Sequence, residues 1–379
     1  MIYLDSAATT AVRREVLEAM WPYMTAEFGN PSSHHSLGVA AANGLKEART
    51  TLARILGCRT SEIIFTSGGT EADNLAIKGI ALAAPRGRHI VTSTIEHEAV
   101  LESCDYLHRH HGFEITYLPV DRHGLIALEQ AAAAIRPDTT SCSIMLANNE
   151  VGTIQPIREL SEIARAAGVP LHTDAVQAAG ALDLNIGRLG VDALSLSGHK
   201  FGAPKGTGLL YLKGRLTIEP VLHGGGQERG RRSGTESVAG AVALAKALQL
   251  AEASRPESAQ RLSQLRDDFI AAVFTAVPSA ILTGDPTHRL PGSASFCFPG
   301  TSGEAVLLYL EQHEILCSSG SACAAGADRP SHVLLAMGLA PEVAQTAVRF
   351  TLSEGSTAEE LSVVARTIRD AIDSLTRRP

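Results

Sequence analysis

Residues 192–200 have the sequence Asp192-Ala-Leu-Ser-Leu-Ser-Gly-His-Lys200, in which a short segment with three apolar residues leads into a lysine. We interpret 193–196 as a buried strand and the glycine-rich residues 201–208 as a loop rather than a helix. A lysine that rigid backbone holds at the end of a strand can carry a covalent cofactor. Most lysines are only solvated surface charges, so this interpretation depends on the residues at fixed distances from Lys200.

Short apolar runs alternate with longer amphipathic stretches from about Glu62 to Leu212. The predicted strands are 63–65, 89–92, 113–118, 141–146, 169–173 and 193–196, and the predicted helices between them include 71–84 and 97–111. This alternation is typical of a mostly parallel α/β sheet. The run 143–147 lacks alternation of apolar and polar residues, as expected for a strand that is covered on both faces.

The part of the chain after residue 254 predicts a smaller α+β lobe. A helical pattern from Thr235 to about Ala253 ends near Ser254-Arg-Pro256, which we take as the boundary. Beyond it we predict helices at 258–276, at 303–312 and from 357 onward, and strands at 293–298, 315–317 and 348–352. The chain therefore divides into a large domain, 15–254, and a small domain formed by 1–14 and 255–379.

Length and composition exclude several classes of protein. The 379 residues are 45% hydrophobic, which is enough for a large core and for two lobes. The net charge of -7 disfavours a general nucleic-acid-binding protein. The N-terminus lacks the pattern of a secretory signal, and no uncharged apolar run approaches the roughly 20 residues that span a bilayer. We therefore expect neither a membrane segment nor direct contact with nucleic acid.

The cysteines are scattered along the chain, at Cys58, Cys104, Cys142, Cys297, Cys317 and Cys323. Their spacing does not predict a disulfide framework, and it favours the reducing environment of the cytoplasm. No CxxC pair occurs, so we expect no structural zinc site and no other metal site.

Small and polar residues follow three of the predicted strands. The glycines of Thr66-Ser-Gly-Gly-Thr70 would let backbone N–H groups approach a phosphate at the start of the next helix, although such loops are often simple turns. His97 could stack on a planar cofactor ring and shuttle protons, or it could cap the following helix. Asn148 and Asn149 are common turn formers, but they should lie at the same sheet edge, where α/β proteins bind ligands.

An aspartate also ends a predicted strand, in the sequence Leu171-His-Thr-Asp174, and Gln177 follows it. A pyridine-type cofactor needs a carboxylate that keeps its ring nitrogen protonated and a lysine that forms its Schiff base. Asp174 and Lys200 can supply both groups. An aspartate at a strand end is otherwise a helix cap, and Asp174 alone would not decide between the two roles.

Three further features lie outside these strand ends. The glycine-rich, basic stretch 223–235 is a flexible surface loop or a loop that contacts a phosphate or a partner subunit. Cys323 lies among small residues, and in an accessible loop such a thiol can be a nucleophile, although most lone cysteines are inert. Cys317 ends an apolar run and fits a buried position better. Arg349 lies within a predicted strand and needs a partner, for which a substrate carboxylate is suitable.

Together these motifs resemble the cysteine desulfurases of the housekeeping type, which are pyridoxal-phosphate enzymes of the class V aminotransferase type. The matching stretches cover the chain almost from end to end and are 3–10, 66–71, 96–97, 148–150, 174–177, 197–200, 232–236 and 318–323. The resemblance implies fold type I of the pyridoxal-phosphate-dependent transferases. In that fold a large domain has a mostly parallel seven-stranded sheet flanked by helices, and a smaller α+β domain packs against it.

The resemblance also implies roles for single residues. Lys200 would bond the pyridoxal 5'-phosphate covalently and later move the substrate proton. Asp174 would pair with the pyridinium nitrogen, Gln177 would hydrogen-bond the phenolic oxygen, and His97 would stack on the ring. The remaining cofactor contacts would come from Gly69, Thr70, Asn149, Ser197 and His199, and from Thr235 of the neighbouring subunit in a homodimer.

For the substrate, L-cysteine, the resemblance implies that Asn149 and Arg349 orient the carboxylate. Cys323, in a mobile loop at about 317–330, would attack the sulfur and leave L-alanine and a persulfide. The persulfide would pass to an acceptor protein, for example an iron-sulfur scaffold or an enzyme of transfer RNA thiolation or DNA sulfur modification. The sequence does not choose among these pathways.

Two other interpretations use the same scaffold. An aminotransferase would not need Cys323, and a selenocysteine lyase would use cysteine poorly. A non-catalytic scaffold that binds sulfur-pathway partners would predict the loss of Lys200, Asp174 or Cys323, but all three are present.

Overall fold

The computed structural model describes residues 1–83, 86–320 and 330–376. In chain order the strands are β1 (Ile2–Tyr3), β2 (Ile63–Thr66), β3 (His89–Ser93), β4 (Glu114–Leu118), β5 (Thr139–Ser143), β6 (Leu171–Asp174), β7 (Ala193–Ser197), β8 (Gly208–Leu212), β9 (Ile281–Leu282), β10 (Ser293–Cys297), β11 (Ile315–Leu316) and β12 (Ala347–Thr351). The α-helices are α1 (Arg14–Met20), α2 (Pro22–Thr25), α3 (Ser36–Leu56), α4 (Gly69–Ala83), α5 (Glu98–His111), α6 (Leu128–Ala134), α7 (Ile157–Ala166), α8 (Ile186–Leu189), α9 (Val238–Ala276), α10 (Gly303–Gln312), α11 (His332–Ala336), α12 (Pro341–Ala344) and α13 (Ala358–Thr376).

A seven-stranded sheet forms the centre of the large lobe, in the order β2-β8-β7-β6-β5-β3-β4. β8 is antiparallel to both of its neighbours, and the other pairs are parallel. All five residues of β7 are buried, as expected for a strand that helices cover on both faces. The predicted α/β fold with a mostly parallel seven-stranded sheet is therefore confirmed.

Local sequence signals explain where the helices next to this sheet begin and end. α5 begins after His97, whose ring accepts a hydrogen bond from the backbone N–H of Ala99. The same helix ends at Gly112, which has a left-handed φ of 66° that suits glycine. α4 begins at Gly69, only three residues after β2 ends. The first turn of α4 therefore lies directly at the edge of the sheet.

The small lobe has a core of its own. Its antiparallel sheet has the order β12-β10-β9, and β1 pairs in parallel with β11 beside it. Phe269, Phe296 and Phe350 form edge-to-face contacts in this core, with ring centroids 5.4–6.3 Å apart. Leu4 packs into the same cluster, so the start of the chain contacts the core of the small lobe. The exact domain boundaries remain a prediction.

One long helix, α9, connects the two lobes and passes through Pro256. The predicted helix end near Ala253 and the predicted new start at Ser258 are therefore wrong. Proline has no N–H, so Pro256 removes one helical hydrogen bond, the bond to the carbonyl oxygen of Glu252. In the same turn, Arg255 forms an ion pair with Glu252 at 2.8 Å. Residues of α9 up to 251 are buried against the large lobe, and residues from 266 onward are buried against the small lobe. This burial on both sides of the proline outweighs the lost hydrogen bond.

Within the described ranges, no helix combines the length and the apolar character needed to cross a membrane. Five of the six cysteines lie in these ranges, and all five are free thiols.

Candidate active site

The carboxyl ends of the large sheet bring most of the predicted site residues to one edge. β6 ends at Asp174, β7 ends at Ser197, and β2 leads into Gly69. These strands run in the same direction, because β8 is antiparallel to both β2 and β7. Residues from three separate strand ends therefore lie at the same edge of the sheet.

Lys200 occupies a single 3-10 turn that follows β7. Its Nζ donates hydrogen bonds to the carbonyl oxygens of Ala7, at 2.6 Å, and of Ala8, at 2.9 Å. Gln177 donates to the same Ala7 oxygen at 3.0 Å. The carbonyl oxygen of Ala7 thus contacts both Lys200 and Gln177, two residues for which the resemblance implies binding of the same cofactor.

Asp174 is a buried carboxylate near Lys200. Its Oδ1 accepts a hydrogen bond of 2.9 Å from the backbone N–H of Val176. Burial raises the pKa of Asp174, while the nearby His97 and Lys200 and the hydrogen bond from Val176 act to lower it. A buried carboxylate of this kind is stabilised by a neighbouring cation, and a protonated ring nitrogen would supply one.

The N-terminus of α4 forms a cradle of small residues beside Ser197. A Cβ atom added at Gly69 would lie 2.7 Å from Cγ2 of Val176 and 3.4 Å from Cβ of Ser197, so any larger residue would force the side chain of Val176 to shift. A Cβ atom at Gly68 would lie 3.8 Å from Oγ of Ser197. The backbone N–H groups at the N-terminus of a helix favour an anion such as a phosphate, and α4 is a helix of 15 residues. Thr70 lies exposed on the first turn of the same helix.

His199 lies next to Lys200 and contacts Thr9, with 3.1 Å between Nδ1 and the threonine Oγ1. Burial, together with the positive charges of Lys200 and Lys205, lowers the pKa of His199 to about 4. The imidazole is therefore neutral at pH 7 and can donate one hydrogen bond without adding charge.

His97 caps α5, because its Nδ1 accepts the N–H of Ala99 at 3.1 Å. This observation confirms the capping interpretation of the sequence. It leaves stacking on a cofactor ring as a prediction, since the half-buried ring lies close enough to influence the charge of Asp174.

The two asparagines make different contacts. Oδ1 of Asn148 accepts the N–H groups of Glu150 at 2.8 Å and Val151 at 3.0 Å, so this residue is the turn former. The carbonyl oxygen of Asn149 accepts a hydrogen bond of 2.8 Å from Nη1 of Arg349. Arg349 lies on β12 with only 2% of its side chain exposed, and Nη2 donates to Asp5 at 2.8 Å. The structure thus places the predicted substrate-binding pair in contact.

Cys323 lies between 321 and 329, outside the described residues, but both flanking segments contact the site. Nη1 of Arg349 lies 3.3 Å from the carbonyl oxygen of Gly320. On the other side, Ser331 donates a hydrogen bond of 2.5 Å to Oε2 of Glu150. The segment that carries Cys323 therefore begins and ends beside Asn149 and Glu150.

Thr235 lies on the glycine-rich loop and is exposed. The same loop is tied to the start of α4 by an ion pair between Arg232 and Glu71, at 2.8 Å. Glu71 also accepts the backbone N–H of Ser67 at 2.8 Å. The predicted contact of Thr235 with a neighbouring subunit remains a prediction.

Four acidic residues near the site had no role in the sequence analysis. Asp5 and Glu150 contact groups of the site, and Glu96 and Asp73 are buried behind it. Burial raises the pKa of Glu96 to about 8, and burial together with the charge of Asp174 raises the pKa of Asp73 well above its ordinary value. Their positions in the sequence could have indicated them, because they lie inside or beside the motifs. Asp5 lies within 3–10, and Glu96 precedes His97.

These residues fit pyridoxal 5'-phosphate. A buried carboxylate can face the ring nitrogen, a strand-end lysine can reach the aldehyde, and a cradle of glycines at a helix N-terminus can hold the phosphate. Among the residues that the structure describes, no group of three or more His, Cys, Asp or Glu side chains is arranged to hold a metal ion.

The chain is similar to known proteins over its whole length. The model of the aminotransferase class-V family matches residues 2–364. A cysteine desulfurase IscS of Dictyoglomus turgidum is 46% identical over 375 residues, which are 99% of this chain and 95% of the relative.

Solved structures agree with this similarity. A NifS-like protein superposes with a TM-score of 0.92 and 37% identity over 99% of this chain and all of the other chain. A protein named SspA, solved in complex with cysteine, superposes with a TM-score of 0.82 and 37% identity over 93% of this chain and 99% of its own. The chain therefore belongs to the class-V aminotransferase family, among its pyridoxal-phosphate-dependent cysteine desulfurases.

Proposed function

We propose that this cysteine desulfurase transfers the sulfur of L-cysteine to the thiol of Cys323. The C–S bond of the substrate breaks, an S–S bond forms on Cys323, and L-alanine leaves with the proton that the thiol supplies. Atoms and electrons balance without an external oxidant or reductant. The observation that carries the proposal is the convergence of Lys200, Asp174 and Arg349 with both ends of the segment that holds Cys323.

Pyridoxal phosphate supplies an electron sink for the bond cleavage when it is bound. We assign its covalent attachment to Lys200, whose amino group also moves the substrate proton. Asp174 keeps the ring nitrogen protonated, Gln177 binds the phenolic oxygen, and His97 stacks on the ring. The phosphate-binding group comprises the backbone at Gly69 and the side chains of Thr70, Ser197 and His199.

The substrate carboxylate is assigned to Arg349 and Asn149. A buried guanidinium is a strong partner for a carboxylate, because two parallel hydrogen bonds add to the charge attraction. The contact between Arg349 and the carbonyl of Asn149 supports a shared role at this position.

We also propose that the protein is a homodimer in which Thr235 contacts the cofactor phosphate of the partner. Its exposure on a loop next to the phosphate cradle supports this assignment. Large apolar side chains are exposed within one short stretch of the large lobe, namely Leu17, Trp21, Met24, Phe28, Leu37 and Val39. Apolar side chains exposed together in this way are typical of a surface that another chain covers.

The persulfide sulfur is assigned to an acceptor protein. Iron-sulfur cluster assembly is the first pathway to test with purified acceptors, and transfer RNA thiolation and DNA sulfur modification are the alternatives. We place the reaction in the cytoplasm, since the five described cysteines are free thiols and a reducing compartment preserves them.

The first test compares the parent enzyme with Cys323→Ser and Cys317→Ser after incubation with L-cysteine. Alanine and protein-bound persulfide are measured together. Both products are expected from the parent and from Cys317→Ser, because burial raises the pKa of Cys317 to about 12 and keeps this thiol protonated. Cys323→Ser is expected to bind the cofactor but to form no persulfide. Persulfide formation by Cys323→Ser at the parent rate would overturn the assignment.

A further inference from the structure

The guanidinium of Arg349 is engaged on only part of its hydrogen-bonding surface. Nη1 faces two carbonyl oxygens, those of Asn149 at 2.8 Å and Gly320 at 3.3 Å. Nη2 donates to Oδ1 of Asp5 at 2.8 Å. Nε is buried and has no hydrogen-bond partner among the residues that the structure describes. Of the five N–H bonds of an arginine, the one on Nε and one on Nη2 therefore have no acceptor in the described part of the chain.

Asp5 is itself held firmly in place. The hydroxyl of Tyr3 donates to the carbonyl oxygen of Asp5 at 3.0 Å, and Asp5 forms a parallel bridge with Thr351. The backbone N–H of Thr351 donates to Leu4 at 2.7 Å. These bonds fasten the residue to β12, the strand that carries Arg349. The backbone of Asp5 is thus fixed beside β12, and its carboxylate reaches the guanidinium from there.

The same short segment also reaches the catalytic lysine. The carbonyl oxygens of Ala7 and Ala8 accept hydrogen bonds from Lys200, at 2.6 and 2.9 Å. Residues 5–8 therefore connect the predicted carboxylate-binding group on the small lobe with the predicted cofactor-binding group on the large lobe. A substrate held at its carboxylate by Arg349 and at its amino group near Lys200 would lie along this segment.

We propose that Asp5 is a positioning residue for the substrate. It holds Arg349 in the orientation that leaves Nε–H and one N–H of Nη2 for the α-carboxylate of L-cysteine, and so determines the affinity for amino acids that carry this group. The inference rests on the proposed role of Arg349. An arginine that is already oriented loses little side-chain entropy when the carboxylate binds. Asp5 also balances the buried charge of Arg349 before the substrate arrives.

The test compares L-cysteine with cysteamine, which has the same amine and thiol but no carboxylate. For the parent enzyme, Asp5→Ala, Asp5→Asn and Asp5→Glu, the measurements are KM and kcat for L-cysteine and the inhibition constant of cysteamine. The absorbance of the bound cofactor reports whether each variant is loaded. Arg13→Met is the matched control, because Arg13 forms another ion pair between the N-terminal segment and the small lobe, with Glu354 at 2.9 Å.

Asp5→Ala is expected to raise KM for L-cysteine about tenfold or more, to change kcat less than about threefold and to leave the cysteamine constant unchanged. Asp5→Asn keeps an oxygen acceptor and is expected to retain most of the affinity. Asp5→Glu keeps the charge but displaces it by one methylene. We therefore expect KM for L-cysteine to rise and the inhibition constant of cysteamine to stay unchanged. This variant decides the question if Asp5→Ala fails to fold. Arg13→Met is expected to match the parent.

Arg349→Ala tests the role of Arg349 separately from the role of Asp5. If Arg349→Ala raises KM for L-cysteine but Asp5→Ala and Asp5→Glu do not, Asp5 has no positioning role and the assignment of Arg349 stands. If Arg349→Ala leaves KM unchanged, both assignments fail. Equal losses for L-cysteine and cysteamine in the Asp5 variants would indicate a purely structural ion pair and would also overturn the inference.

Discussion

The amino group of Lys200 donates a hydrogen bond of 2.6 Å to the carbonyl oxygen of Ala7, a residue 193 positions earlier in the chain. This contact fixes the lysine at the sheet edge, where the carboxylate of Asp174 also lies. Lys200→Ala is expected to abolish covalent attachment of the cofactor. The measurement is the mass of the protein after borohydride reduction, together with the absorption spectrum of the bound cofactor.

Lys205→Ala is the matched control, since Lys205 is an exposed lysine in the loop that follows. It is expected to keep the reduced adduct and the spectrum of the parent enzyme. A cofactor adduct of parent mass in Lys200→Ala would show that another lysine forms the bond.

The residues at strand ends were predictable because the geometry of a parallel sheet determines where they meet. Asp174 ends one strand and Lys200 follows another, and parallel strands bring such ends to one edge whatever the loops between them do. The same reasoning predicted that Gly69 and Asn149 would lie there. Local sequence was sufficient for these residues, because the period of the apolar pattern and the direction of the strands carry the information.

Other features depend on contacts that no local pattern encodes. Asp5 and Arg349 are 344 positions apart, and their ion pair exists only because the first strand joins the small lobe. At Pro256 the local signal predicted a helix end, but packing on both sides keeps α9 continuous. Tertiary burial outweighs local propensity in such cases, which is why the sequence predicted two helices there.

Trp21 is the only tryptophan of the chain and is 64% exposed. Trp21→Glu is expected to weaken the proposed homodimer, because a charge would replace a large apolar contact in the covered surface. Light scattering on a size-exclusion column should give the mass of a dimer for the parent enzyme and a larger monomer fraction for the variant. Leu308→Glu, on the exposed side of α10, is the control and should leave the dimer intact. A monomeric parent enzyme would contradict the proposed assembly.

Glu96 should make the stability of the protein fall as pH rises. Burial raises its pKa to about 8, whereas the carboxyl of an unfolded chain has a pKa of about 4.3. Between these values the unfolded chain releases the proton and the folded chain keeps it, so the folded state loses stability as pH increases toward 8. Glu96→Gln cannot ionise, and its melting temperature relative to that of the parent is expected to rise from pH 5 to pH 8.5.

Thermal melts of both proteins at several pH values provide the measurement. Glu129→Gln, at an exposed position, is the control and should show a constant difference from the parent. A difference between Glu96→Gln and the parent that does not change with pH would mean that Glu96 is ionised in the folded protein throughout this range.

Arg49 and Glu228 form a buried ion pair with two hydrogen bonds, of 2.8 and 2.6 Å. The pair fastens α3 to the loop that carries Thr235. In this loop Glu228 and Arg229 have positive φ values of 49° and 60°, which are unfavourable for residues other than glycine. Glu228→Ala leaves the guanidinium buried without its partner, and we expect the free energy of unfolding to fall by about 3 kcal/mol. Urea denaturation measures the change. Glu18→Ala is the control, because it removes the exposed partner of Arg14 and should leave the stability almost unchanged. An equally small loss of stability in Glu228→Ala would show that other contacts hold the loop that carries Thr235.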